Sequence, residues 1–196
     1  MSAARTIVVF GSGPGIGRSV AQEFASNGFT HVILLARHHG RLHQDKTAVE
    51  KCVKDIKVDV LTVDLSDKAS LQETLTKIDS LSKEIECVFY NGARVAPSTL
   101  LEFPVEEMEL DSLLYKYPIP AVFSLTVTKA AQRAMVECLY QTYKDSGVHC
   151  GLISVGGEVG PGNKALNPDN IARKTWALFE QPKGTWELEV EIMEAQ

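Results

Sequence analysis

The sequence predicts an α/β protein built on a doubly wound parallel sheet with helices on both faces. Three observations carry that expectation. Apolar runs alternate with amphipathic stretches of helical period, the rhythm of strand–helix–strand units. The apolar runs are rich in Val, Ile and Leu without clean alternation, as in strands buried on both faces. The first run leads at once into a turn holding Gly11, Gly13, Gly15 and Gly17. Glycine costs conformational freedom on folding, so such a cluster marks a place where backbone must approach something closely.

The elements follow in order. TIVVF, Thr6–Phe10, reads as the first strand, and IGRSVAQEFASNG, residues 16–28, as a helix ending at Gly28. HVILLAR, 31–37, is the second strand; a polar helical segment over 42–55 leads to the third, KVDVLTVDL, 57–65. Ser66 or Asp67 caps the next helix, in which Leu71, Leu75, Ile78 and Leu81 fall at helical spacing. ECVFYNG, 86–92, is the fourth strand. Residues 93–120 carry no clear period. A long amphipathic helix over 122–144, a strand HCGLISV at 149–155, a helix starting near Pro168 and a last strand within TWELEVEI complete the chain.

A length of 196 residues suits one domain with a sizeable core. The 44% hydrophobic and 23% charged content is ordinary for a soluble globular protein. A net charge of −5 and the lack of a Lys/Arg-rich run argue against a nucleic-acid partner. No stretch approaches the roughly 18 apolar residues of a membrane span, and the first apolar run is too short for a signal peptide. The expectation is therefore no membrane partner and a cytoplasmic, reducing location. Cys52, Cys87, Cys138 and Cys150 are widely spaced near apolar segments, which favours buried thiols over disulfides or metal ligands. His38 and His39 are adjacent, but no cluster at metal-ligand spacing follows them. Trp176 and Trp186 read as core or edge packing.

A glycine-rich turn from a strand into a helix sets main-chain N–H groups and the positive helix end beside a phosphate. A P-loop would close the turn with Gly-Lys-Ser/Thr, whereas Gly17 is followed by Arg18-Ser19. An S-adenosylmethionine-dependent methyltransferase would want acids where Val9 and Arg37 stand. Dinucleotide binding fits best. The spacing Gly11-x-x-x-Gly15-x-Gly17 resembles the short-chain dehydrogenase/reductase family, whose fingerprint is Thr-Gly-x-x-x-Gly-Ile-Gly. Asp64, ending strand three, matches the aspartate that hydrogen-bonds the adenine. Asn91-Gly92-Ala93 matches the Asn-Asn-Ala-Gly motif lining the cofactor site. Arg37 ends strand two, where an acid would bind the ribose 2′-hydroxyl of NAD; a guanidinium there suits the 2′-phosphate of NADP. Its alternative is a solvated strand-end charge. Phe10 replaces the family threonine, so one hydrogen bond to the loop is missing.

The resemblance implies a single Rossmann-like domain over 1–196. Gly11, Ser12, Gly15, Ile16 and Gly17 would bed the pyrophosphate of NADP(H), and Asn91, Gly92 and Ala93 the inner ribose region. The catalytic half departs from the family. Its Tyr-x-x-x-Lys pair exchanges a proton with the substrate oxygen and holds the nicotinamide ribose. PAVFSLTVTKAAQRAMVECL resembles the helix that carries this pair, with Lys129 as the lysine, but Leu125 stands where the tyrosine belongs. Ser112 falls thirteen residues before Leu125, the place of the family serine, which makes Ser112 and Lys129 the catalytic candidates. Tyr115 and Tyr117 are the phenols nearest this register. Tyr140-Gln-Thr-Tyr-Lys144 mimics the motif but ends its helix, and reads as a surface i, i+4 pair. Val155-Gly156 falls where the family has its Pro-Gly turn.

Twenty residues separate Asn91 from Ser112, too few for the helix–strand unit the family places there. The sheet should then lack one helix–strand unit after strand four and leave apolar surface open on the face where the family forms its dimer, so homo-oligomerisation stays open. Two functions follow: an NADP(H)-dependent oxidoreductase acting on a small alcohol or carbonyl compound, its catalysis impaired, or a non-catalytic NADP(H)-binding regulatory or partner module.

Overall fold

The computed structural model describes residues 4–92 and 123–194, for residues 123–125 as backbone only. The elements are β1 (Thr6–Phe10), α1 (Ile16–Ser26), β2 (His31–Ala36), α2 (His39–Glu50), β3 (Lys57–Thr62), α3 (Lys68–Leu81) and β4 (Cys87–Tyr90). They continue with α4 (Phe123–Tyr143), a 3-10 turn at Lys144–Ser146, β5 (Leu152–Gly156), α5 (Pro168–Phe179) and β6 (Glu189–Met193). Two compact units are formed: Met1–Gly92 with Gly157–Trp176 and Glu194–Gln196, and Ala93–Gly156 with Ala177–Met193.

The first unit is built on a parallel sheet of order β3-β2-β1-β4. β1 is buried along its whole length, which is why its apolar run does not alternate. Side chains point to opposite faces in turn. Val8, Phe10, Ile33 and Leu35 pack with Val63 and with Ile78 of α3, flanked by Leu61, Leu65, Leu71 and Leu81. The opposite face carries Ile7, Val9, Val32 and Leu34, all fully buried, on the side of α1 and α2. Phe24 packs against Phe29 and Trp176 with ring centroids 5.1 Å away in each case, so the half-buried Trp176 packs at the edge of the core.

The predicted doubly wound sheet is thus present, with five α-helices and four strands in its main sheet among the described residues. The shortened region itself, residues 93–122, lies outside them. On β4 the register Val8↔Val88 and Phe10↔Tyr90 puts Val88 and Tyr90 on the α3 side of the sheet. They are 60% and 51% exposed. Two apolar side chains thus stand open to solvent on that face of the sheet.

Two expectations change in detail, and one open choice is resolved. Leu75 is 48% exposed and Thr74 buried, because the covered stripe of α3 runs through 71, 74, 78 and 81, and residue 75 lies one step further round. Asp67, not Ser66, caps α3, accepting from the Ala69 amide at 2.9 Å. The four cysteines are free thiols, but Cys52 and Cys138 are exposed and the other two half-buried, so the expected burial fails for the first pair. Cys52 follows the last turn of α2, and Cys138 sits on an outward position of α4.

In the second unit β5 and β6 pair in parallel, and Arg133 of α4 reaches Glu137 at 2.9 Å and Glu189 of β6 at 3.2 Å. Trp186 stacks on His149 with ring centroids 4.9 Å apart. Among the described residues no helix is long and apolar enough to cross a membrane.

The packing predicts unequal costs for two leucine truncations. Leu34→Ala should lose about 2–5 kcal/mol through the cavity it opens, and Leu75→Ala no more than about 0.5 kcal/mol. Denaturant unfolding of both variants checks the contrast.

Candidate functional site

The chain leaves β1 toward β2 on one side and returns to β4 on the other, so the carboxyl ends of β1 and β4 border a topological switch point. Gly11 turns the chain there with φ +84°. Its amide and that of Ser12 both donate to the Leu35 carbonyl at 2.9 Å, tying the loop to β2. A Cβ on Gly11 would lie 2.5 Å from the Asn91 carbonyl oxygen, and one on Gly17 2.5 Å from that of Gly11. The Asn91 amide donates to the Phe10 carbonyl at 2.8 Å, and its Nδ2 to the Gly11 carbonyl at 3.3 Å. Strand end, loop and helix start therefore pack main chain on main chain.

Gly13 and Gly15 differ: no described residue lies within 4 Å of a Cβ placed there. Open space above them adjoins the start of α1, whose cap residue Gly15 brings no side-chain hydrogen bond. The first-turn amides of Ile16 and Gly17 have no intrahelical acceptor. Together with the positive helix end they form a cradle for an anion. The amides of Gly11 and Ser12 are spent on Leu35, so donors for a phosphate come from further along the loop.

Beneath the loop sits a group that sequence reasoning missed. Asp45 of α2 is 2% exposed. Its Oδ2 accepts from the Ser12 hydroxyl at 2.8 Å, and its Oδ1 lies 3.6 Å from the Arg18 guanidinium. Arg18 also donates to the Pro14 carbonyl at 2.9 Å. α2 reads as a polar helix, where an aspartate looks solvated, yet Asp45 falls three residues after Leu42 and four before Val49, so helical spacing sets it on the face those two bury.

Arg37 follows β2 and Asp64 follows β3, both exposed. Asp64 Oδ1 accepts from the Ser66 hydroxyl at 2.7 Å and the Ser66 amide at 3.0 Å. These bonds hold its carboxyl below the usual carboxylate range, and the Arg37 charge adds to the effect. The structure thus gathers Gly11, Ser12, Gly15, Ile16, Gly17, Asn91 and Gly92 at the carboxyl ends of β1 and β4 and sets Arg37 within electrostatic reach of Asp64. Ala93, Ser112, Tyr115 and Tyr117 lie outside the described residues.

In the second unit, Lys129 of α4 donates to Gln132 at 2.9 Å, and burial lowers its pKa to about 8. Leu125 stands four residues earlier in the same helix. Tyr140 is not the surface residue its spacing suggested: it is half-buried, and its hydroxyl donates to the Trp186 carbonyl at 2.9 Å. Lys144 is exposed, with its ammonium 5.9 Å from the Tyr140 ring centre. Val155 and Gly156 close β5.

A family model described as short chain dehydrogenase matches residues 5–137. The chain is 33% identical over 107 residues to 17-beta-hydroxysteroid dehydrogenase 13 of Rattus norvegicus, covering 54% of this chain and 34% of that protein. It is 29% identical over 203 residues to very-long-chain 3-oxoacyl-CoA reductase of Bos taurus, covering 86% of this chain and 62% of the relative. The chain thus spans between about a third and three-fifths of the length of these curated relatives. A metagenomic short-chain oxidoreductase solved in complex with NADP superposes with TM-score 0.82 at 19% identity, covering 98% of each chain.

The burial of Lys129 has a consequence in pH. Unfolding restores an ordinary lysine, so between about pH 8 and 10.5 the unfolded state binds more protons than the folded one. Stability should therefore rise with pH across that window relative to Lys129→Met, and the burial penalty should be fully present below it. Urea midpoints of both proteins, measured from pH 7 to 10, test the difference; a constant gap would contradict it.

Proposed function

The chain belongs to the short chain dehydrogenase family, and on that footing we propose that it is an NADP(H)-binding oxidoreductase acting on a small alcohol or carbonyl compound. The observation carrying this reading is the main-chain contact of Gly11, Gly17 and Asn91 at the sheet's switch point, with open space above Gly13 and Gly15. A pyrophosphate fits there because bare glycines leave room and first-turn amides face it. Gly15, Ile16 and Gly17 would donate to the phosphates, while Gly11 and Ser12 hold the loop through Leu35. Arg37 would pair with a 2′-phosphate and Asp64 with the adenine. Asn91, Gly92 and Ala93 would line the inner ribose.

When bound, the nicotinamide gives or takes a hydride. The chain's own part in the second half is thinner. Lys129 would donate to the nicotinamide ribose; with a pKa of about 8 it is mostly protonated at neutral pH and keeps that donor. Ser112 would touch the substrate. The reading takes residues 1–196 as one dinucleotide-binding domain in the cytoplasm, with a small-molecule substrate, no nucleic-acid or membrane partner, and homo-oligomerisation open.

Leu125 favours a second reading. A leucine has no proton to exchange with a substrate oxygen, so the chain would bind NADP(H) without turning it over, as a regulatory or partner module. Turnover separates the two. Purified protein is mixed with NADPH and a panel of ketones, quinones and aldehydes, and the absorbance of the reduced nicotinamide is followed. Oxidation abolished by Lys129→Ala supports the enzyme; tight NADPH binding with no oxidation supports the module.

Arg37→Asp should shift preference from NADPH toward NADH by about 1–3 kcal/mol, the scale of a charge-assisted contact. An unchanged ratio of the two dissociation constants would remove Arg37 from the cofactor site.

A further inference from the structure

Resting on the cofactor reading above, we propose that Asp45 is a positioning residue that holds the glycine loop in its phosphate-accepting shape. The need arises at Phe10. That position precedes the loop, and its side chain belongs to the apolar cluster with Val8 and Ile33, so it offers the loop no hydrogen bond.

The two ends of the loop are fixed by backbone. Gly11 and Ser12 bond to Leu35, and the Ser19 amide bonds to the Gly15 carbonyl at 3.2 Å. In the middle, Gly13–Gly15, the Gly13 carbonyl accepts from the Arg18 amide at 3.1 Å, but glycine restricts the chain least, and no described residue lies within 4 Å of a Cβ placed at Gly13 or Gly15. Two side chains restrain it. Ser12 reaches down to Asp45, and Arg18 bridges the Pro14 carbonyl and the same carboxylate. One buried group in α2 thus holds both side chains that grip the loop. Its burial demands those partners, since a carboxylate removed from water is stable only when paired and hydrogen-bonded.

Charge alone argues the other way. An anionic group beneath a phosphate cradle repels the ligand, so if electrostatics governed, neutralising Asp45 would tighten NADPH binding. Positioning predicts weaker binding, and an order among variants. Asp45→Ala loses both contacts, whereas Asp45→Asn keeps an oxygen for Ser12 and loses the ion pair with Arg18.

The experiment titrates the full chain with NADPH by calorimetry and follows thermal unfolding of each variant in parallel. Expected is a dissociation constant raised about tenfold or more by Asp45→Ala, the scale of losing a charge-assisted contact. Asp45→Asn should show a smaller rise. Ser12→Ala combined with Asp45→Ala should cost less than the sum of the two, because both cut one bond. A group that only stabilised the fold would lower the melting temperature and leave the dissociation constant alone. Folded Asp45→Asn and Ser12→Ala proteins that bind NADPH as tightly as the parent, or more tightly, overturn the proposal; these two carry the test if Asp45→Ala does not fold. A parent chain that itself ignores NADPH overturns the cofactor reading instead.

Discussion

The architecture of the first unit depends on the close approach of two main chains, at Gly11 and Asn91. β1 and β4 can lie side by side to their carboxyl ends only because residue 11 has no side chain: any Cβ would overlap the Asn91 carbonyl. The same residue turns with positive φ, which glycine alone adopts without strain. Gly17 then closes against the Gly11 carbonyl, which brings the start of α1 onto the sheet edge. Remove the first contact and the helix end, the loop and the fourth strand lose their common reference point.

Much of this was legible in the chain because it rests on short-range rules. The buried β1 and β2 showed as unbroken Val/Ile/Leu runs, and α1 began where the glycine turn placed it, whereas the polar α2 starts three residues before and ends five before its expected bounds. What escaped were choices made by tertiary packing. Leu75 looked as good a core residue as Leu71, yet the helix face passes through Thr74. Cys52 and Cys138 looked apolar by context and face solvent.

The candidate site divides in the same way. Gly11 and Gly17 were legible because a close main-chain approach admits only glycine, whereas Gly15, Arg37, Asp64 and Asn91 were singled out by their match to a family pattern. Asp45 was missed although it shares a helical stripe with Leu42 and Val49, because a carboxylate is expected in water; its contacts with Ser12 and Arg18 show why it is buried. Tyr140 shows the converse error of pattern: it satisfies a motif, and its hydroxyl is committed to the Trp186 carbonyl.

The outward-facing Val88 and Tyr90 bear on how the molecule can be handled. β4 has a strand neighbour on one side only among the described residues, so its outer backbone groups and two apolar side chains stand together. A sheet margin of that kind templates adhesion between molecules. Cutting the polypeptide after Gly92 to isolate the four-stranded sheet would yield a sticky fragment, and a charged residue at 88 is the natural remedy.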